Sequence, residues 1–269
     1  MLKHRVITGA VGVPLVILAI WFGDPSPWFS LLIAMAALAG TYEFYHIANF
    51  DRREPLLYLG LLCSLSLVLS PHYRSPEILP IVITATMLIS LTWLMFRPSR
   101  EKAFHKWAWT IVGALYVGWM LSYWLNLRGL EDGRSWVYLA ILTTFASDTG
   151  AFFIGRAIGK HKLAPTISEA KTWEGAIGGL VCAILGAMVI ATVLNLISPF
   201  NFLYWQIILI GFLIGLFAQL GDLVESLLKR NMGVKESGNL LPGHGGILDR
   251  FDSLIFVGAV VYYYVIWVV

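Results

Sequence analysis

The chain reads as long apolar runs broken by short polar stretches. A helix needs about 20 apolar residues to cross a hydrocarbon layer. By that measure nine runs qualify: Val6–Phe22, Trp28–Ala48, Pro55–Ser70, Ile78–Phe96, Trp107–Asn126, Trp136–Gly155, Gly175–Ser198, Phe202–Ser226 and Ile247–Val269. None alternates with the period of two that a membrane strand requires, so each predicts a helix. Trp21, Trp28, Trp107, Trp124, Trp136 and Trp267 fall near run ends, where interfacial aromatics collect. The first run follows Lys3 and Arg5 as in a signal peptide, but no small-x-small cleavage site follows it, and it reads as a retained span. The expected fold is all-α: a polytopic integral membrane protein of about nine transmembrane helices. A block over 1–135 holds about five spans, and a block over 136–269 carries most of the polar detail.

The polar positions orient these spans. Of 19 lysines and arginines, all but Arg74, Arg128 and Arg134 lie at the N-terminus or in every second connection. Basic residues concentrate on the cytoplasmic side, so the N-terminus is expected there and the C-terminus outside. The composition agrees. Apolar residues make up 58% of 269 positions and charged ones 13%, which excludes a disordered chain, a disulfide scaffold and an ordinary soluble enzyme. Cys63 and Cys182 sit inside apolar runs without metal-ligand spacing and read as small core side chains. A net charge of +3 gives no reason to expect nucleic acid. Gly175/Gly179 and Gly211/Gly215 are small-xxx-small pairs that suit helix packing within one chain or across a homodimer.

Six carboxylates lie in or at the ends of the spans: Glu43, Asp148, Asp222, Glu225, Asp249 and Asp252. A charge in hydrocarbon costs on the order of 3 kcal/mol on insertion scales, so such residues need a cation, a partner or water. At 1.5 Å per residue, Asp148 is expected roughly 10 Å inside the cytoplasmic boundary. All six fall in the cytoplasmic half, which suits a pocket opening to the cytoplasm better than a conduit. Asp222, Glu225, Ser226 and Lys229 follow i, i+3, i+4, i+7 and share a helix face. Asp249 and Asp252 are spaced i, i+3 on the next helix. Two such faces can offer several oxygens to a hard cation such as Mg²⁺. Asp249 and Asp252 also read as first-turn acids favoured by the helix dipole, and Glu225 as an ion-pair partner of Lys229.

Two polar connections stand out. GRAIGKHKLAPTISEAKTWEGAIGG over 155–179 carries Lys160, Lys162, Lys171, Thr172 and Glu174. SLLKRNMGVKESGNLLPGHGGILDRFD over 226–252 sets Lys229, Arg230, Lys235, His244 and Arg250 around a glycine-rich PGHGG. Glycine lets backbone N–H groups approach an anion, and the helix starting near Ile247 points its positive end the same way. Lys, Arg and His supply charge-assisted bonds to phosphate. Carboxylates for Mg²⁺ beside cations for phosphate are what phosphoryl or nucleotidyl transfer requires. Basic loops also follow from topology alone, and a glycine cluster from a turn, so it is the convergence of these features that points to chemistry. No GKS/T phosphate loop, dinucleotide fingerprint, HExxH or GxSxG is present, which leaves a serine hydrolase, a zinc protease and a soluble-type kinase unsupported.

The stretch 226–252 closely resembles the signature of the phosphatidate cytidylyltransferases, the CDP-diacylglycerol synthases. Ser226, Lys229, Arg230, Lys235, Gly238, Pro242, His244, Gly245, Gly246, Asp249, Arg250 and Asp252 match over 27 residues; Glu236 stands where the family usually has Asp. Ser168, Lys171, Thr172, Glu174 and Gly175 resemble a second family element, with Glu169 replacing its usual Pro, and Asp148 before Gly150-Ala151-Phe152 fits a third position. The N-terminal half matches only in hydropathy. The resemblance implies transfer of CMP from CTP to phosphatidic acid drawn from the inner leaflet, giving CDP-diacylglycerol and pyrophosphate. It implies Mg²⁺, with a second cation, monovalent or divalent, left open. The location implied is the inner membrane, with the site facing the cytoplasm. Asp222, Asp249, Lys229 and His244 are then the expected catalytic residues. Asp222, Asp249 and Asp148 are the expected metal ligands, with Glu225 and Asp252 behind them. Lys171, Thr172, Ser226, Arg230, Lys235, Gly245, Gly246 and Arg250 are expected on the phosphates. The competing readings are a CTP-dependent lipid-alcohol kinase, a cation- or proton-coupled transporter, and a non-catalytic relative.

Overall fold

The protein is an all-α polytopic membrane protein with one small hairpin among its described residues. The computed structural model describes residues 12, 14–22, 27–73, 75, 77–96, 103–198, 200, 202–238, 240 and 245–269. Eight helices among them are long and apolar enough to cross a membrane. In chain order they are α1 (Pro27–Ile47), α2 (Pro55–Leu69), α3 (Ile78–Met95), α4 (Ala103–Arg128), α5 (Gly133–Ile158), α6 (Trp173–Ile197), α7 (Tyr204–Asn231) and α8 (Leu248–Val268). These correspond to the last eight predicted runs. Of the first, Val6–Phe22, residues 14–21 are helical and most of the remainder lies outside the described residues, as do Pro242 and His244.

Helix ends follow local chemistry. After α1, Asn49 takes a left-handed φ of 57° and the Phe50 N–H reaches back 3.0 Å to the Tyr45 carbonyl. This is a Schellman close, and it sets the Phe50 ring 5.1 Å from that of Tyr45. Pro55 occupies the first turn of α2, where its missing N–H costs no helical bond. The buried Gln206 serves two ends: its Oε1 accepts from Leu203 N at the start of α7 and its Nε2 donates to the Val268 carbonyl at the end of α8.

The chain divides into two compact units, 1–125 with 236–249, and 126–235 with 250–269. In the first, α2 packs against α1, α3 and α4. Cys63, Leu67 and Ala114 form a buried cluster with Leu79, Val82 and Ile83 against it. Polar groups inside are paired: Thr41 and Ser64 hydroxyls lie 2.7 Å apart, and the Tyr45 hydroxyl donates to the Thr110 carbonyl at 2.6 Å. Helix α4 carries a π-helical turn over Ala114–Trp119, within which Gly118 lies so close to Ser64 that a Cβ would stand 2.6 Å from its Cα.

In the second unit α6 packs against both α5 and α7, with small residues at the contact. A Cβ at Gly179 would lie 2.9 Å from the Ser147 carbonyl; one at Gly215 would lie 2.8 Å from the Ala183 Cβ, and one at Gly211 2.9 Å from the Ile184 Cα. The small-xxx-small pairs are therefore used within the chain, where close backbone approach supplies the dispersion contact that lipid cannot. The opposite face of α6 exposes Ile177, Val181, Leu185, Val189 and Val193 at a spacing of four. A stripe that apolar is stable where the solvent is acyl chain.

Between α5 and α6 the polar connection folds into an antiparallel hairpin, β1 (Lys162–Ala164) and β2 (Ser168–Thr172), pairing Lys162 with Thr172 and Ala164 with Ser168. The hairpin delivers β2 directly into the first turn of α6.

Candidate active site

Of the sequence-nominated residues of the second unit, Asp148, Lys171, Asp222, Ser226, Lys229 and Asp252 gather around the C-terminal turns of α7. Asp222 receives the Lys171 ammonium of β2 at 2.8 Å on Oδ2 and the Ser226 hydroxyl at 3.3 Å on Oδ1. Asp148 on α5 and Asp252 on α8 each lie within electrostatic range of Asp222. Lys171 is in range of Asp148, and Lys229 of Asp252. Three carboxylates and two ammonium groups thus share one region of this unit. Among the described residues no three His, Cys, Asp or Glu side chains converge into a closed metal cage. A Mg²⁺ ion does not need one: it usually keeps several waters and binds through one or two carboxylates plus substrate phosphate. The donor chemistry of Asp148, Asp222 and Asp252, hard oxygens without thiol or imidazole, fits such an ion.

Glu225 and Lys229 form an ion pair one helical turn apart, with side-chain exposures of 0% and 12%. Glu before Lys at i, i+4 is the favourable order on a helix, and here the pair also neutralises a carboxylate that is wholly out of solvent. Arg230 is turned toward the loops, donating to the carbonyls of Ile167 at 3.3 Å and Val234 at 3.5 Å. It thereby fastens the hairpin to the end of α7.

The hairpin side is held by its own polar network. Thr172 is the N-cap of α6, its Oγ1 accepting from Gly175 N at 3.2 Å. Glu174 accepts from the N–H groups of Lys160 and His161 and meets the His161 ring nitrogen at 2.6 Å. Thr172 and Glu174 therefore shape the base of the hairpin, and Lys171 is the member of that motif presented to an acid. A mostly apolar groove of about 590 Å³ runs over α5 and α6, lined by Phe145, Ala146, Thr149, Phe153, Cys182 and Leu185 among others, with Asp148 beside it in sequence.

In the first unit the described ends of the glycine loop are held by carboxylates. Asp249 Oδ2 accepts from Ser237 N at 3.0 Å and Gly246 N at 2.9 Å, while the Ser237 hydroxyl accepts from Asp249 N at 3.3 Å. Glu43, on α1 and only 4% exposed, accepts from Ile247 N and Leu248 N at 2.9 Å each and from the Ser237 hydroxyl at 3.0 Å. The amides at Gly246 and at the start of α8 are those expected from the sequence to face a phosphate. Those amides already have anionic partners, and both are side chains of this protein. The same bonds seat Asp249 Oδ2 at the start of α8, as a first-turn acid favoured by the helix dipole. Gly245 takes a φ of 79°, the backbone that glycine tolerates best, and so lets the loop turn into α8.

Glu43 is the residue whose part the sequence concealed. Its position near a cytoplasmic span end is legible, but its partners lie 194 to 205 residues away. A carboxylate in an apolar helix with no local counter-charge is the one signal available.

Comparison with known proteins shows the family. A family model described as the cytidylyltransferase family matches residues 3–268. The phosphatidate cytidylyltransferase of Bacillus subtilis (strain 168) is 34% identical over 268 residues, covering 97% of each chain. That of Staphylococcus haemolyticus (strain JCSC1435) is 36% identical over 233 residues, covering 85% of each. That of Staphylococcus aureus (strain COL) is 37% identical over 231 residues, covering 84% of this chain and 86% of the relative.

Proposed function

The chain belongs to the cytidylyltransferase family, and from that premise we propose that it is a nucleotidyltransferase that moves CMP from CTP to phosphatidic acid, yielding CDP-diacylglycerol and pyrophosphate for phospholipid synthesis. We place the reaction on the cytoplasmic side of the inner membrane, where the basic connections fall and where CTP is found. Full-length similarity to enzymes named for that reaction, which an N-terminal half matched only in hydropathy did not foretell, is the observation that carries the proposal.

The chemistry needs little from the protein beyond placement and charge. An oxygen of the phosphatidate phosphate attacks the α-phosphorus of CTP in line. One P–O bond forms, the bond from that phosphorus to the bridging α,β-oxygen breaks, and pyrophosphate leaves with the electron pair. A phosphate monoester is already largely ionised near neutrality, so no general base is required. Lys171, Ser226, Lys229, Arg230, Lys235, His244 and Arg250 are proposed to bind phosphate oxygens of the two substrates. Asp222, with Asp148 and Asp252, is proposed to hold Mg²⁺, which when bound offsets negative charge on the reacting phosphates. Lys171 then has two partners in turn, holding Asp222 in the free protein and meeting a phosphate when CTP arrives. The acyl chains of phosphatidate stay in lipid, and the groove over α5 and α6 offers them an apolar wall.

A lipid-alcohol kinase would share the nucleotide chemistry but release CDP. The test supplies purified protein with phosphatidate, Mg²⁺ and each nucleoside triphosphate in turn. CTP-dependent pyrophosphate release, absent with phosphatidate omitted, is the expected result; release of CDP with no CDP-lipid would overturn the proposal.

A further inference from the structure

We infer that Glu43 is a positioning residue: its buried carboxylate on α1 fixes Ser237, Ile247 and Leu248, and through Ser237 also Asp249, for the reaction. The inference rests on the proposed function for its consequence, but its geometry is independent of that function. Glu43 accepts three hydrogen bonds, from the Ser237 hydroxyl and from the consecutive amides of Ile247 and Leu248. Ser237 is 2% exposed and bonds in turn to Asp249, its N–H to Oδ2 and its Oγ to Asp249 N. The loop is thus closed at both ends on one carboxylate, directly at Ile247–Leu248 and through Ser237.

Two glycines of the motif are explained by the same group. A Cβ at Gly238 would stand 2.8 Å from Glu43 Oε1, and one at Gly246 would collide with both Glu43 Oε2 and the Ser237 Oγ. Gly238 and Gly246 therefore lie close enough to the carboxylate to leave no room for a side chain at either position. A general preference for turns does not account for this, because Gly238 and Gly246 are not among the residues with positive φ. The charge is tolerated because every described partner is a donor and two of the donors are the first amides of a helix, where a negative group is favoured. A neutral amide cannot substitute. In the Glu43→Gln variant one carboxylate oxygen becomes an NH₂ group facing backbone donors that have no freedom to reverse, so at least one of the three bonds is lost.

The proposed role differs from a catalytic one because Glu43 has its partners within the protein. It also differs from a purely structural one, and the test separates them. Glu43→Gln, Ser237→Ala and the parent are purified in detergent. Each is compared for thermal midpoint, for hydrogen–deuterium exchange of the peptide spanning 237–249, and for kcat and the KM for CTP. Positioning predicts that Glu43→Gln lowers the thermal midpoint by only a few degrees, while loop exchange quickens about tenfold or more and kcat/KM for CTP falls at least tenfold. Ser237→Ala is expected to shift in the same direction by less. A variant with unchanged exchange and unchanged kcat/KM would overturn the inference, as would a loss of activity matching the loss of folded protein. If Glu43→Gln does not fold, Ser237→Ala decides alone: slower turnover with a loosened loop supports the role, and parental values for both refute it. A parent that transfers no CMP would sink the proposed function instead, and the exchange comparison would still report whether Glu43 holds the loop.

Discussion

Replacing Lys229 by Met separates the two duties assigned to that side chain. Its ammonium contacts Glu225, and the two groups are 12% and 0% exposed, so the methionine variant takes this cation away from a buried carboxylate. Removing one partner of a buried pair costs about 3–5 kcal/mol, because the remaining charge loses its compensation. At roughly 2–4 °C per kcal/mol for a chain of this size, the thermal midpoint in detergent should fall by on the order of 10 °C. The double variant Glu225→Gln/Lys229→Met removes both charges and should recover most of that loss, since neutral replacements of buried pairs are often harmless. Turnover should not recover with it, because the proposed phosphate contact of Lys229 is still missing. Thermal unfolding followed by intrinsic tryptophan fluorescence, with pyrophosphate release on the same samples, reads both quantities. A single variant as stable as the parent would refute the structural duty. A double variant that regains both stability and turnover would show that Lys229 serves Glu225 alone.

Further outcomes follow from the same geometry. Asp222→Asn should abolish turnover while the protein still inserts and elutes as folded material; a rate near the parent's would remove Asp222 from the metal assignment. Gly215→Leu should destabilise the α6–α7 contact by about 1–3 kcal/mol, since a side chain there meets Ala183 at less than contact distance, and a parental thermal midpoint would refute that packing. Thr172→Ala removes the N-cap of α6 at a cost of about 1 kcal/mol and should lower the thermal midpoint by a few degrees. A midpoint unchanged within error would show that the cap bond contributes nothing.

The spans were legible because a membrane imposes one coarse rule on sequence. Runs such as Ile78–Phe96 and Pro55–Ser70 end within a residue of α3 and α2. Helix α5 runs further than its apolar stretch, from Gly133 to Ile158, because helical hydrogen bonding continues through the polar turns at both ends. The hairpin over Lys162–Thr172 was legible only as a polar loop. Its strands are short and mostly polar, half-buried or exposed except at Thr172, and no apolar alternation marks them. At the site, the acids and cations of α7 and β2 could be nominated from spacing and type, since i, i+4 pairs are local. Asp249 carried two readings, and the bonds to Ser237 and Gly246 favour the helix-start one for its Oδ2. Glu43 could be seen as an acid in need of a partner, but nothing within its own helix names Ser237, Ile247 or Leu248.

The region around Asp222 brings together three carboxylates and two ammonium groups in a membrane helix bundle. A transporter would use such acids along a path across the bilayer, whereas a nucleotidyltransferase needs them where a triphosphate can meet them. The hairpin favours the second, since it brings Lys171 to Asp222 from a polar connection outside the spans.

The fate of the nucleotide's phosphorus atoms tests the central claim most directly. CTP labelled at the α-phosphate, or in a parallel reaction at the γ-phosphate, is incubated with purified protein, Mg²⁺ and phosphatidate, and the lipid and aqueous phases are separated. CMP transfer predicts the α-label in the lipid and the γ-label in pyrophosphate. A γ-label in the lipid phase, or an α-label that remains wholly in water, would contradict it.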